Sequence, residues 1–259
     1  MKPVDAARDL RALALGCGAD FFGIADLAPV RDVVVAQGGE PLAAYPRAVS
    51  IGIALPADAI DALVRHHDAR VAQAYEGVYD AMNRGLDLVA TSVADRLRAA
   101  GARALAVCAS RRIDQDRLCG LFSHKLAAHL AGLGWIGKSC LLITPEVGPR
   151  ARWTTVLTDA VLPPTGGPLD QACGGCQRCV DACPARAFTG EPFRAEQDRD
   201  ARFDARKCAS YVTAMTDAMG ARVLCGLCVA VCPHGMRRQE RNERVHPGAT
   251  ARGDSMRSA

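Results

Sequence analysis

With 259 residues, 49% of them hydrophobic, the chain is long enough for one large or two modest units and can bury a full core. A formal charge of +4 is too small to define a nucleic-acid-binding field, and no stretch approaches the roughly 18–20 apolar residues of a membrane span. Of 12 cysteines, eight stand at metal-ligand spacing, which argues against disulfides and for a reducing, cytoplasmic setting.

Residues 4–17 read as a short amphipathic helix with Ala7, Leu10, Ala14 and Cys17 on one face. Asp5 and Asp9 deny this start the apolar core of a secretory signal. Residues 21–25 read as a buried strand, and residues 48–55 as a second, stopped by Pro56. Tyr79, Met82, Leu86, Val89, Val93 and Leu97 recur at steps of three and four, a long helix closed by Gly101. Residues 103–109 follow as a strand, 110–120 as a charged loop, and 122–131 as a helix. Residues 140–144 and 152–158 are strand-like, parted by a turn with Pro145, Gly148 and Pro149.

Pro163-Pro164-Thr165-Gly166-Gly167-Pro168 is the clearest linker. It divides a mixed α/β unit, 1–162, from a small ferredoxin-like unit, 163–236, whose core is largely metal. Residues 237–259 are rich in arginine and poor in apolar side chains, the composition of a disordered tail. The fold class expected is α+β.

The first cysteine group reads Cys173-Gly-Gly-Cys176-Gln-Arg-Cys179-Val-Asp-Ala-Cys183-Pro184, the C-x2-C-x2-C-x3-C-P run of two-cluster ferredoxins. Three thiolates on a tight loop reach three irons of one cubane, and the fourth, about one helical turn on, points to the other cluster. The second group is Cys208, a gap, then Cys225-Gly-Leu-Cys228-Val-Ala-Val-Cys232-Pro233. The spacing assigns one 4Fe–4S cluster to Cys173, Cys176, Cys179 and Cys232, and the other to Cys183, Cys208, Cys225 and Cys228. Zinc also takes C-x2-C pairs but pairs them across longer loops. Cys208 lies seventeen residues before Cys225, where a plain ferredoxin has three, so a 3Fe–4S or labile second cluster is the alternative. Each oxidised cluster with four thiolates adds about −2, which brings the metallated chain near neutral.

Gly132-Leu-Gly134-Trp135-Ile-Gly137-Lys138-Ser139 satisfies both G-x-G-x-x-G and G-x-x-x-x-G-K-[ST]. Both motifs need a strand before and a helix after, so that phosphate meets a helix N-terminus. Here a helix precedes and a strand follows, and nucleotide binding is not expected. The glycines would instead let a large flat ligand approach the backbone, which makes Gly132, Gly134, Trp135, Gly137 and Lys138 the candidate cofactor-binding residues.

The 131–138 segment, Val156-Leu-Thr-Asp159, Lys207-Cys208-Ala-Ser-Tyr211-Val-Thr213 and both cysteine groups resemble the epoxyqueuosine reductase family. Those enzymes, like the related reductive dehalogenases, carry two 4Fe–4S clusters beside a cobalamin. The resemblance covers residues 120–235 most specifically and 23–55 more weakly. It implies that Cys208 is a ligand, since the family takes one from just such a segment. It also implies a corrinoid, an electron donor such as a ferredoxin or flavodoxin, and a small-molecule or modified-nucleoside substrate.

Where the family keeps its catalytic aspartate, this chain has Cys108-Ala-Ser110-Arg-Arg and an apparent insertion. No counterpart of the family's tRNA-binding helical repeats follows the second cysteine group. Strong tRNA binding is therefore not expected.

Asp114, Asp116 and His124, with Lys125, fall in the replacing segment and are the candidate proton donors. His234 could tune the adjacent cluster, and Arg150 and Arg152 could bind an anion. Cys17, Cys108 and Cys140 are expected in the core, Cys119 is the extra thiol of interest, and His66 and His67 are expected in solvent. The reading that follows is an iron–sulfur oxidoreductase passing electrons through two clusters to a pocket in the first unit. The competing one is a ferredoxin-like carrier or module without a substrate site, which some 160 extra residues disfavour.

Overall fold

The computed structural model describes residues 3–236, and the expected tail, 237–259, lies outside the described residues. Helix α1 (Pro3–Gly16) precedes β1 (Phe21–Asp26), α2 (Arg31–Gly38), β2 (Arg47–Ala54), α3 (Ala57–Asp61) and the 31-residue α4 (Ala69–Ala99). Then come β3 (Ala104–Val107), α5 (His124–Leu130), β4 (Trp135–Ile136), β5 (Leu142–Ile143) and β6 (Ala151–Thr158). The cysteine-rich part adds α6 (Arg178–Asp181), α7 (Ala205–Met219) and α8 (Leu227–Ala230).

Four strands form an antiparallel sheet in the order β1-β2-β6-β3. Successive side chains point to opposite faces of a strand, and here both faces are covered. Phe22, Ile24, Val49, Ile51 and Val156 pack with Leu10 of α1 and with Leu86, Val89 and Val93 of α4. Ala25, Ala48, Val107 and Leu157 pack with Val34 of α2 and with Leu126 and Ala127 of α5. For this reason β2 is apolar in a nearly continuous run, while β6 buries Thr154, Thr155 and Thr158 as well.

Helix α4 starts ten residues before the periodic pattern does. Asp68 caps it by accepting from the Arg70 amide at 2.9 Å. Its first turns bury Ala72 and Tyr75 against the cysteine-rich part: Tyr75 packs with Leu63, Val229 and Ala230, and Ala72 with Met215 and Val223. The composition shift at 163–168 therefore marks no gap in packing. Thr165 also fastens the linker to β1: its amide donates to the Ile24 carbonyl at 3.0 Å, and its Oγ1 accepts from the Ile24 amide at 2.9 Å.

Expectations for three residues are corrected. Cys17 and Cys108 are exposed, because each lies just beyond the end of its element, α1 or β3. His66 is buried, with Nε2 3.1 Å from the Tyr211 hydroxyl, because α7 covers it. Arg150, a candidate for binding an anion, is buried and already pairs with Asp61 at 2.6 Å.

Candidate functional site: two thiol sets and an adjoining cavity

The eight spaced cysteines gather in two sets. Burial raises the Cys179 and Cys232 thiols to about 11, with Cys173 adding to both shifts and Cys176 to that of Cys179. Burial likewise raises Cys225 to about 11, and it raises Cys208, with Cys183 next to both. Cys228 is pushed up by burial, then by Cys225 and Cys208, and more weakly by Cys179 of the other set, so the two sets are neighbours. Buried thiols crowded together resist ionisation until a metal compensates them. The donor chemistry fits iron–sulfur clusters: two sets of four sulfurs. Among the described residues no three Cys, His, Asp or Glu side chains gather tightly enough for a single metal ion.

Local structure explains how these thiols are held. The amide of Cys176 donates to the Cys173 carbonyl at 2.9 Å, closing the first loop. Gly226 stands at φ 65°, and a Cβ there would run into Leu63 and Tyr75, so the second loop lies directly on the first unit. Cys208 sits in the first turn of α7, whose cap is the Asp204 carboxylate, accepting from the Arg206 and Lys207 amides at 3.0 Å each. His234 stacks edge-on against Trp135 at 5.0 Å.

The glycine turn has a different neighbourhood from the one its openness implies. A Cβ on Gly132 would meet Gly166 and Gly167 at 3.2 Å, and one on Gly134 would strike the Ile143 carbonyl. At Gly137 it would lie 2.9 Å from Ile143 and 3.3 Å from the Cys173 sulfur. A side chain at any of these three glycines would meet the protein's own atoms. Lys138 is buried and donates Nζ to the Gly174 carbonyl at 2.9 Å, inside the first cysteine loop. The turn thus seats the Cys173 loop.

The space for a ligand lies on the far side of that turn. A cavity of about 560 Å³ is bounded by Ile136 and residues 140–142 from the turn, by Phe122 to Leu126, by Arg152 and Trp153 of β6, and by Phe193 and 195–199 with Arg202. None of Gly132, Gly134, Trp135, Gly137 and Lys138 lines it, and neither do Asp114 and Asp116. The Asp114 carboxylate accepts from the Arg117 amide at 2.7 Å in its own loop, and Asp116 is exposed.

His124 does line the cavity. Its Nε2 lies 3.1 Å from the Cys108 carbonyl, which can only accept, so that nitrogen carries the proton. Nδ1 then accepts from the Thr155 hydroxyl at 2.9 Å. Burial pushes the ring down to about 4, so it is neutral at pH 7. Lys125 also lines the cavity, donates to the Cys140 carbonyl at 2.7 Å, and is lowered chiefly by burial. Sequence reading missed Phe193, Trp153, Arg199 and Arg202. The available signal was the excess length between Cys183 and Cys208, for which cluster binding has no use.

Residues 172–243 match the family of 4Fe–4S double cluster binding domains. The chain is 32% identical over 123 residues to an epoxyqueuosine reductase of Bacillus cereus, an alignment covering 44% of this chain and 30% of that protein. With the epoxyqueuosine reductase of Gloeobacter violaceus it shares 37% over 129 residues, 46% of this chain and 37% of the other. The resemblance to epoxyqueuosine reductases read from the sequence therefore holds, over about a third of the length of these curated relatives.

Solved structures extend the likeness to the fold of nearly the whole chain. A catabolic reductive dehalogenase superposes with a TM-score of 0.70 at 21% identity, covering 93% of this chain and 34% of that one. An epoxyqueuosine reductase gives 0.56 at 22%, covering 88% and 65%. The α/β unit and the double-cluster domain thus recur together as one fold. No helix among the described residues is long and apolar enough to cross a membrane.

Proposed function

We propose that this protein is an iron–sulfur oxidoreductase that carries electrons through its two 4Fe–4S clusters to a ligand bound in the cavity. One observation carries the reading: the segment joining Cys183 to Cys208, both assigned as cluster ligands, supplies Phe193, 195–199 and Arg202 to the cavity wall. A pure carrier has no need of this. Another part of the wall, 140–142, follows directly on the turn whose Gly137 lies beside the Cys173 sulfur, so each thiol set is linked to the wall along the chain. The proposed ligands are Cys173, Cys176, Cys179 and Cys232 for one cluster, and Cys183, Cys208, Cys225 and Cys228 for the other.

A structure of an epoxyqueuosine reductase holds an epoxyqueuosine-modified tRNA stem loop, and a reductive dehalogenase structure suggests a mechanism for B12-dependent dehalogenation. The apolar walls of the cavity here, Phe122, Leu126, Ile136, Leu142 and Trp153, suit an organic ring. A corrinoid bound against them would supply the redox chemistry that cleaves a carbon–heteroatom bond. The chain's own part is to hold the ligand, exclude water from it and provide a proton. His124 has both nitrogens engaged, so the proton falls to Lys125, whose burial lowers its hold on it. The cavity volume suits a small molecule.

Anaerobic reconstitution followed by reduction tests the proposal. The expected result is about eight irons and eight sulfides per chain, with an EPR spectrum of two interacting clusters. Added cobalamin should co-elute with the protein and be reduced through the clusters. If cobalamin neither co-elutes nor changes spectrum, the corrinoid part fails. Stoichiometric zinc without sulfide would end the iron–sulfur reading altogether.

A further inference from the structure

The cavity wall holds three cations with no carboxylate partner among the described residues: Lys125, Arg152 and Arg202. Arg202 is the most enclosed, at 4% exposure. Its guanidinium lies 4.7 Å from the Phe193 ring centroid, and its Nη1 is 3.6 Å from the Cys140 sulfur. Its Nε is buried with no hydrogen-bond partner among the described residues. Arg152 donates from Nε and Nη2 to the single Asn83 oxygen at 3.1 and 3.0 Å and lies 4.0 Å from the Tyr79 ring centroid.

These charges are close enough to act on one another. After burial, Arg202 and Arg199 both depress the Lys125 amine, and Arg152 depresses His124. Lys125 and Arg202 converge on one residue, Cys140, which adopts the left-handed φ of 54°. The carboxylates of the wall do not relieve them: Glu196 is exposed, and Asp198 lies 4.0 Å from Arg117.

A buried guanidinium is normally paired, because an unpaired charge out of water costs several kcal/mol. A ring face and a thiol are weak compensation. We propose that the ligand of this cavity carries an anionic group, a carboxylate or a phosphate, and that Arg202 is its anchor, with Lys125 and Arg152 completing the positive field. The inference rests on reading the cavity as the ligand site. The anion has two potential sources: the substrate itself, or the phosphate in the nucleotide tail of a corrinoid.

Isothermal titration of the reconstituted holoprotein with benzoate, benzamide and inorganic phosphate tests this. One benzoate or phosphate per chain should bind, with the neutral benzamide about tenfold weaker or more. Arg202→Gln should weaken anion binding about tenfold, and Lys125→Gln several-fold, with iron content unchanged. Neither anion binding, or benzamide matching benzoate, would overturn the proposal. So would Arg202→Gln binding benzoate as wild type does. If Arg202→Gln fails to fold, the benzoate–benzamide comparison and Lys125→Gln still decide.

Repeating the titration with cobalamin and with cobinamide, which lacks the phosphate, separates the sources. Blockage by cobalamin alone assigns the site to the cofactor's phosphate, and binding that survives both assigns it to the substrate. Electron flow through the clusters is read by EPR with no anion added, so this inference and the oxidoreductase reading can fail separately.

Discussion

At His124 the fold keeps an imidazole neutral by enclosing it and engaging both nitrogens. Its folded pKa, about 4, lies below the ordinary 6.5. The unfolded chain therefore binds the proton first as pH falls, and this part of the stability is present above about 6.5 and is lost down to about 4, up to roughly 3 kcal/mol. Chemical denaturation at pH 7.5 and 4.5 should show a smaller pH difference for His124→Phe than for wild type. An equal difference would place the acid sensitivity elsewhere. Gly134 offers a second test. A methyl there strikes the Ile143 carbonyl, a backbone atom, so Gly134→Ala should cost about 2–4 kcal/mol, with loss of the bound iron. Gly77, with nothing within 4 Å, should accept alanine without loss. At this scale the sequence was legible where spacing decides which side chains gather, as for the eight cysteines in their two sets. It was not legible at Arg202, because nothing in a local pattern marks which of many arginines is enclosed.

Among the elements, α7 repays attention because it delivers Cys208. Its cap is made by one carboxylate serving two amides, and Asp204→Ala should cost about 1 kcal/mol. The loss falls on the turn that seats Cys208. The second cluster should therefore bleach faster in air than the first, read as selective decay of one EPR component. Equal decay of both would mean that the cap does not hold the ligand. Neither α7 nor the first turns of α4 stood out in the sequence. Both bury small or mixed residues, Ala72 against Met215 and Tyr75 against Val229 and Ala230, and neither shows the broad apolar stripe that marked residues 79–97. The strands β1 and β2 were legible because burial on two faces makes them nearly continuously apolar, whereas β6 buries Thr154, Thr155 and Thr158 beside its apolar residues and read as a strand from its β-branched and aromatic content.

For the whole molecule, the shared cores decide how it unfolds. Leu55, Ile60, Leu63 and Tyr75 of the first unit form one cluster with Val229 and Ala230 of the second. A fragment ending at residue 162 would expose that face. It should bind a hydrophobic dye and lack a cooperative transition, whereas the full holoprotein should melt in one step. A fragment that melts sharply by itself would refute this. The linker composition at 163–168 suggested two units because proline and glycine signal a change of chain direction. Composition is blind to what the flanking surfaces touch. The 184–207 segment has its own consequence. On the proposed ligand assignment it is pinned at one end by Cys183 and at the other by Cys208, and between them it walls the cavity. Occupancy of the cavity and integrity of the second cluster are then thermodynamically reciprocal, since each favours the same placement of one stretch of chain. A molecule occupying the cavity should slow removal of iron by a chelator. Conversely, oxygen damage to that cluster should abolish ligand binding before it unfolds the sheet, so that damaged molecules stop competing for substrate while still folded.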